Sequence, residues 1–289
     1  MVGLGALGLP IAVNLRRAGY QLHVHTRSRS AESAPELMNA EGLSVTRKST
    51  PAKAVEGCEA LLLCVSDDTA VQTVLWGDNG AGQCLKQGSV VIDCSTIAPA
   101  TAKAMAERLA ERGVYYIDAP VTGGTEGAKA GTLTVLCGGL ESTLQHVSPL
   151  LEIIGGSIHH FGPVGSGQKV KAVNQVLVAG SYVAVAEAMA LGQHLHLPME
   201  QVVKALQNGA AGSWALQHRS EAMLNDHYPL GFKLNLHHKD LEIALGAAME
   251  QQLELPITRM VFEQESELMK QGLGDADVSA LRRYLPGPT

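Results

Sequence analysis

The chain opens Met1-Val2-Gly3-Leu4-Gly5-Ala6-Leu7-Gly8, and the three glycines decide how its first half reads. Their spacing is G-x-G-x-x-G. They run directly into a helical stretch, Leu9 to Ala18, which Gly19 ends, and the apolar run Leu22 to His25 follows. In a strand-to-helix turn of this kind the first glycine permits the tight turn. The second lets a pyrophosphate approach the backbone, and the third lets helix and strand pack closely. The helix start then presents free N–H groups and a positive dipole end to phosphates. One such turn alone is a weak signal; it gains weight from the crossover units that come after it. The first strand ought to precede Gly3, where only Met1 and Val2 stand. Either that central strand is stunted or the natural start lies upstream, and the second is the expectation.

Apolar runs recur at Ala60 to Val65, Ser89 to Asp93, Tyr115 to Asp118 and Thr132 to Cys137, separated by helical stretches such as Ala102 to Arg112. Strands alternating with helices predict crossover units and a mostly parallel sheet. Parallel strands are covered on both faces, so their runs are apolar throughout rather than alternating. After about Phe161 the strand signals stop. Lys169 to Leu195 is a long Ala/Val-rich helical stretch without proline. Pro198 starts the next helix, and further helices are expected over 200–208, 213–225, 238–252 and 256–272, with Gly231 and Gly272 as breaks and Pro286 to Thr289 as a loose tail. The predicted fold class is α/β: an N-terminal Rossmann-type parallel-sheet domain followed by an all-α C-terminal domain, joined by a long helix. The domains are placed at 1–162, for NAD(P), and 163–289, for substrate and dimerisation. The long helix reads as a spine between domains or subunits, and its apolar residues on several faces point to a homodimer or homotetramer.

Composition fits a globular protein. Of 289 residues 46% are hydrophobic and 17% charged, and the net charge of −6 is spread without long runs. No basic nucleic-acid surface is suggested. Runs such as Ala60 to Val65 are too short to span a bilayer, and the N-terminus has no signal-peptide pattern, so no membrane partner is expected. Cysteines at 58, 64, 84, 94 and 137 form no Cys-x-x-Cys pair and read as buried small hydrophobes in a reducing compartment, hence a cytoplasmic protein.

The end of the second strand selects the cofactor. An NAD site usually places Asp or Glu about 20 residues past the glycines to bind the ribose 2′-hydroxyl. Here the chain reads Thr26-Arg27-Ser28-Arg29-Ser30, with no acid. Guanidiniums and hydroxyls suit a 2′-phosphate, so NADP(H) is preferred and NAD(H) possible. Val65 and Ser66, ending the next strand, join the cofactor set.

Gly165-Ser166-Gly167-Gln168-Lys169-Val170-Lys171-Ala172-Val173-Asn174-Gln175 is a glycine turn leading into a helix. Lys171, Asn174 and Gln175 are spaced i, i+3 and i+4 and face one way. They offer one proton donor and two neutral amides to a single small molecule. No His/Cys/Asp cluster has metal-ligand spacing: His194 and His196 split across helix faces, and His237 and His238 read as surface or structural. With no metal, proton transfer falls to a side chain. A lysine in a partly dry cleft suits the task, since desolvation and a second cation such as Lys239 favour its neutral form.

Taken together the chain resembles the β-hydroxyacid dehydrogenases, which are related to 6-phosphogluconate dehydrogenase. The resemblance runs through Gly3 to Pro10 with Asn14-Leu15, Asp93-Cys94-Ser95-Thr96-Ile97-Ala98-Pro99, and Asp118-Ala119-Pro120-Val121-Thr122-Gly123-Gly124. It continues through Gly131-Thr132-Leu133-Thr134, the Lys171 helix, Gly209-Ala210-Ala211-Gly212-Ser213 and His238-Lys239-Asp240-Leu241. It implies reversible oxidation of a 3-hydroxy acid by NAD(P), acting on CH–OH donors. By motif position, Lys171 resembles the family's catalytic lysine, and Thr122, Gly123 and Gly124 its substrate-carboxylate loop. Ser95 and Thr96 fall where the family contacts substrate or nicotinamide, and Lys239 resembles a second active-site lysine near the cofactor. Trp214 follows a segment that lines the family's cleft, so it either walls the substrate site or packs in the core. The chain departs from the pattern at Gln175, where many members carry Asn, at Thr122, where Ser is usual, and at Leu7, where Met is common.

The expected activity is hydride transfer between NAD(P)H and a short semialdehyde acid, of tartronate semialdehyde or 3-hydroxyisobutyrate type, with Lys171 as general acid and base. Succinic semialdehyde is an alternative substrate. An imine reductase of the same architecture would lack the lysine, and a non-catalytic NADP-binding protein need not keep Lys171, Gln175 and Thr122 together. Oxidative decarboxylation of a sugar phosphate is disfavoured by the short helical half.

Overall fold

The computed structural model describes residues 1–27, 37 and 45–287. Ser28, Arg29 and Ser30, and the end of the tail at Pro288 and Thr289, lie outside the described residues. The chain divides into two compact units, Met1–Lys171 and Ala172–Thr289.

In the first unit the sheet grows outward from Val2. Its N–H donates to the Leu62 carbonyl at 2.9 Å, and its carbonyl accepts from Cys64 N–H at 3.0 Å. On the other side Gly3 N–H donates to His25 O at 2.9 Å, and His25 N–H to Met1 O at 3.0 Å. Val2 is therefore bridged in parallel to both neighbours, β1 (Leu22–Val24) and β3 (Ala60–Leu63). Both backbone groups of Val2 are used by a neighbouring strand. β2 (Val45–Arg47) pairs with β1, β4 (Val90–Asp93) with β3, and β5 (Tyr115–Asp118) with β4, all parallel. With Val2 counted first, the spatial order is third, second, first, fourth, fifth, sixth, which is the Rossmann order. Beyond β5, an antiparallel bridge from Asp118 to Gly138 leads to β7 (Leu133–Cys137), flanked by antiparallel β6 (Val121–Thr122) and parallel β8 (Gly155–His160).

The apolar runs end where their chemistry requires. Leu62, Val90, Ile92 and Ile117 face one core cluster; Leu61, Leu63, Val91 and Tyr116 face the other. Neighbouring residues thus point to opposite faces, both covered, as period-2 geometry demands of a fully buried strand. Three strands escaped the sequence reading. β2 and β8 are edge strands whose residues, apart from Gly155, are half-buried or exposed, and β6 is two residues long, so none carries an apolar run.

The intervening helices are α1 (Gly8–Arg17), α2 (Pro51–Ala54), α3 (Asp68–Trp76), α4 (Pro99–Ala110), α5 (Gly124–Ala130) and α6 (Glu141–Ile154). α7 (Ser166–His194) begins in the first unit and continues in the second. It is the one helix among the described residues long and apolar enough to cross a membrane. Half of its most apolar window is buried. The second unit adds α8 (Met199–Leu206), α9 (Trp214–Leu224), α10 (Leu234–Glu250), α11 (Pro256–Lys270) and a 3-10 turn, Val278–Tyr284. Its core includes Val183, Met189, Leu216, Leu241, Val261 and Leu281. Pro198 caps α8 rather than opening it, and α10 starts four residues before its expected position. His237 is buried against Glu265 at 2.6 Å and His238 meets the Ser266 hydroxyl at 2.8 Å, so both are structural. Cys94 and Cys137 are buried, but Cys84 is exposed, so the reading of every cysteine as a buried hydrophobe fails there.

Two acids end adjacent strands in register, Asp93 on β4 and Asp118 on β5, and both are fully buried. Asp93 accepts from Ser95 N–H at 2.9 Å and from the Tyr116 hydroxyl at 2.8 Å. Burial nonetheless outweighs these bonds and pushes its carboxyl up to about 6. The folded protein therefore holds this proton more tightly than the unfolded chain does. The resulting stabilisation is complete below the ordinary carboxylate range and is lost as pH rises through about 6. Asp93→Asn keeps the shape without the charge. Thermal unfolding between about pH 4 and pH 7 should show wild type losing stability relative to Asp93→Asn as pH rises towards 6 and no further loss above it; a difference independent of pH would refute a buried charge here.

Candidate active site

β1 and β3 leave the central strand on opposite sides, so a crevice opens beyond the carboxyl ends where the strand order reverses. The Gly3 to Gly8 turn, Thr26 and Arg27 after β1, and Val65 and Ser66 after β3 all stand there. Gly3 has φ +94°, and a Cβ on it would lie 2.1 Å from the Cys64 carbonyl oxygen. A Cβ on Gly8 would lie 2.1 Å from Gly3 O, so this glycine lets α1 press against the turn. Gly5 differs: it is exposed, and among the described residues no atom beyond its chain neighbours lies within 4 Å of where its Cβ would be. An open position of this kind leaves the Gly5 backbone accessible to a group outside the chain. α1 also begins with no side-chain cap and no acid in its first turn, which leaves its dipole end to an anion. These residues fit a dinucleotide's pyrophosphate. Leu4 is buried, and Ala6 and Leu7 complete the turn. Ser66 donates to the Asp67 carboxylate at 2.6 Å, which in turn caps α3.

The start of α7 is tied down before it reaches Lys171. Asp118 accepts from Gly165 N–H at 2.7 Å and Gln168 N–H at 2.9 Å, so a buried carboxylate caps the helix. Burial raises the Asp118 pKa, and the backbone N–H groups partly counter this. A Cβ on Gly167 would lie 2.2 Å from the Leu136 carbonyl, which shows how closely the helix rests on β7. The Gln168 amide reaches sideways, donating to Ser95 O at 2.8 Å and accepting from Ile97 N–H at 3.2 Å. One turn later Lys171 is 8% exposed, and its Nζ donates to Val121 O at 2.9 Å. Val121 immediately precedes Thr122-Gly123-Gly124, where φ is +127° at Gly123 and +65° at Gly124. Glu126 folds back here: its Oε2 lies 2.8 Å from where a Gly124 Cβ would be and accepts from the Thr125 hydroxyl at 3.2 Å. Ser95 is pinned as well, its Oγ accepting from Val65 N–H at 3.0 Å, and Thr96 follows it half-buried. The first unit thus gathers Ser95, Thr122, Gly123, Gly124 and Lys171 around one helix start.

In the second unit a polar chain begins on the next turn of α7. Asn174 donates to Gln175 Oε1 at 2.7 Å, and Gln175 donates to Asp240 Oδ2 at 2.7 Å. Asp240 Oδ1 pairs with Lys239 Nζ at 2.7 Å. Gln175 and Asp240 are buried, so the chain fixes the Asn174 amide and the Lys239 ammonium relative to each other. Trp214 belongs to a different cluster. It is 41% exposed, stacked on His218 at 4.5 Å, with the Arg219 guanidinium 4.6 Å above its ring. It is therefore not a core residue of this unit.

Sequence reasoning did not assign roles to Asp93, Asp118, Gln168 or the Val121 carbonyl, nor did it foresee the link from Gln175 to Asp240. The two acids carried a readable signal, since each ends an apolar run at the carboxyl edge of a parallel sheet, where ligands and helix starts gather. Gln168 carried none.

Residues 1–162 match the family described as the NAD binding domain of 6-phosphogluconate dehydrogenase. Residues 165–285 match the one described as NAD-binding of NADP-dependent 3-hydroxyisobutyrate dehydrogenase. Over 284 residues the chain is 37% identical to 2-hydroxy-3-oxopropionate reductase of Escherichia coli, covering 98% of this chain and 95% of that protein. It is 34% identical over 289 residues to NAD-dependent L-serine dehydrogenase of Pseudomonas aeruginosa, again covering 98% and 95%. The crystal structure of 3-hydroxyisobutyrate dehydrogenase from Salmonella typhimurium matches with a TM-score of 0.88 at 26% identity, over 98% of both chains. The crossover sheet, the glycine turn at its carboxyl edge and these likenesses lead to one conclusion: the chain belongs to the β-hydroxyacid dehydrogenase family and is an NAD(P)-dependent hydroxyacid dehydrogenase.

Proposed function

We propose that the protein interconverts a short 3-hydroxy acid and its semialdehyde, of tartronate semialdehyde or 3-hydroxyisobutyrate type, with Lys171 as general acid and base. The observation that carries this reading is the buried Lys171 amine, bonded to Val121 O beside the Thr122-Gly123-Gly124 loop. Backbone N–H groups of that loop take the substrate carboxylate, and the glycines allow the approach. The carbonyl then lies within reach of Lys171. The nicotinamide, when bound, supplies the hydride to the carbonyl carbon. In reduction Lys171 Nζ gives its proton to the carbonyl oxygen; in oxidation the neutral amine takes the hydroxyl proton back. Asn174 and Gln175 hold the hydroxyl and the carboxylate-bearing carbon, with the Asp240 carboxylate steadying the Gln175 amide. Ser95, Thr96, Val65 and Ser66 line the cofactor and substrate from the strand ends. Lys239 serves the cofactor, and the exposed Trp214 ring walls the substrate. The substrate type is supported by the reductase name of the Escherichia coli relative.

NADP(H) is the preferred cofactor in this reading, because Thr26 and Arg27 follow β1 where an acid would mark an NAD site. Residues 1–162 bind it, and residues 163–289 supply the substrate and dimerisation functions. A homodimer or homotetramer would cover Leu177, Leu191 and Leu195, which stand exposed along and just past α7. The free cysteines suit the cytoplasm.

Three outcomes are expected. Gly5→Ala should leave the unfolding temperature near wild type while weakening NADPH binding, whereas Gly3→Ala, forced into a positive φ, should cost about 1–3 kcal/mol of stability. Calorimetric titration should give tighter binding of NADPH than NADH; the opposite order would remove the argument from Arg27. Lys171→Ala should lower turnover by roughly 10²- to 10⁴-fold with NADPH affinity nearly unchanged, measured as loss of NADPH absorbance with tartronate semialdehyde. Turnover close to wild type would refute the assignment of Lys171.

A further inference from the structure

Resting on the reading of Lys171 as the proton donor, we infer that Gln168 is a positioning residue that acts through it: its side-chain amide locks the Ser95 to Ile97 loop to the helix turn that presents the amine.

Gln168 is 1% exposed, and both ends of its amide are used on one loop, Nε2 on Ser95 O and Oε1 on Ile97 N–H. Its own N–H is held by Asp118. Lys171 lies three residues on, so the two side chains share a helix face. The loop is also clamped from its far side. Asp93 takes Ser95 N–H, and Val65 N–H donates to Ser95 Oγ. Asp93 and Asp118 are register partners on adjacent strands, so one carboxylate secures the loop and its neighbour secures the helix. Gln168 is the side chain that joins the two halves of this frame. Without it, the loop and the turn that carries the amine are tied only through the strand pairing at Asp93 and Asp118, which lets their tips shift relative to each other. A shift of about an ångström in such an alignment slows a reaction far more than it weakens binding.

A plain packing role would predict something else: lower stability, with whatever activity remains independent of Lys171. The two are separated with full-length enzyme, NADPH and tartronate semialdehyde. Gln168→Met keeps the length and volume of the side chain and deletes both hydrogen bonds. Gln168→Glu keeps an acceptor for Ile97 N–H but turns an oxygen against the Ser95 carbonyl. Each change is made in wild type and in Lys171→Ala, where residual turnover is followed with enzyme in excess. Both Gln168 variants should lose roughly 10- to 100-fold in kcat, with KM and the NADPH Kd little changed. In the Lys171→Ala background the same changes should have almost no further effect, as expected for residues acting as one unit. Wild-type kcat in both variants would overturn the proposal. So would an equal fold-loss in the Lys171→Ala background, or a loss confined to NADPH affinity. If Gln168→Met unfolds below assay temperature, Gln168→Glu decides by the same comparison. The Lys171→Ala single variant reports separately on the acid–base reading, so the two failures look different.

Discussion

A carboxylate without access to water has to be surrounded by donors, and Asp118 meets that demand with the N–H groups of Gly165, just before α7, and Gln168, in its first turn. Leaving it unpaired would cost several kcal/mol, so the helix start cannot move far from the end of β5. Much else follows from this constraint. Gly167 must be glycine, because Leu136 O stands where a side chain would go. Lys171, one turn later, is delivered beside Val121, and the Thr122 to Gly124 loop continues from that strand. Position in the fold, rather than any property of the lysine itself, makes this amine a candidate proton donor.

The nucleotide half of the site follows a different rule. Its glycines answer to two separate demands. Gly3 and Gly8 serve the protein, since carbonyl oxygens fill the space a side chain would need. Gly5 is under no such crowding, and the space beside it is open. Of the three glycines, the exposed and uncrowded one is where a bound group can come up against the backbone. The crossing of β1 and β3 away from Val2 puts that open space at the carboxyl edge of the sheet, where α/β folds place their ligands.

In the second unit, polarity is organised by burial. Gln175 and Asp240 are removed from water, so each has to be satisfied by a neighbour, and a single path of hydrogen bonds and an ion pair runs from Asn174 to Lys239. This path also accounts for the departure at position 175. A glutamine reaches Asp240 with one end of its amide and Asn174 with the other, so the longer side chain is fully employed.

The amino-acid order alone determined the architecture. Apolar runs such as Ala60 to Val65 and Ser89 to Asp93 mark buried parallel strands because a two-sided sheet leaves no polar face, and the proline-free stretch after Lys169 marks a long helix. It also nominated Lys171, Asn174 and Gln175, since helical spacing places them on one side. The edge strands and the two-residue β6 stayed hidden, for they bury too little to leave an apolar trace. What only the tertiary structure decided was the partnering of residues far apart in the chain: Asp118 with Gly165 and Gln168, Gln168 with Ser95, Lys171 with Val121, Gln175 with Asp240. Local pattern has no access to such pairs. Each exists because folding withdrew a polar group from water and the nearest donor or acceptor, tens of residues away, was the one able to replace it.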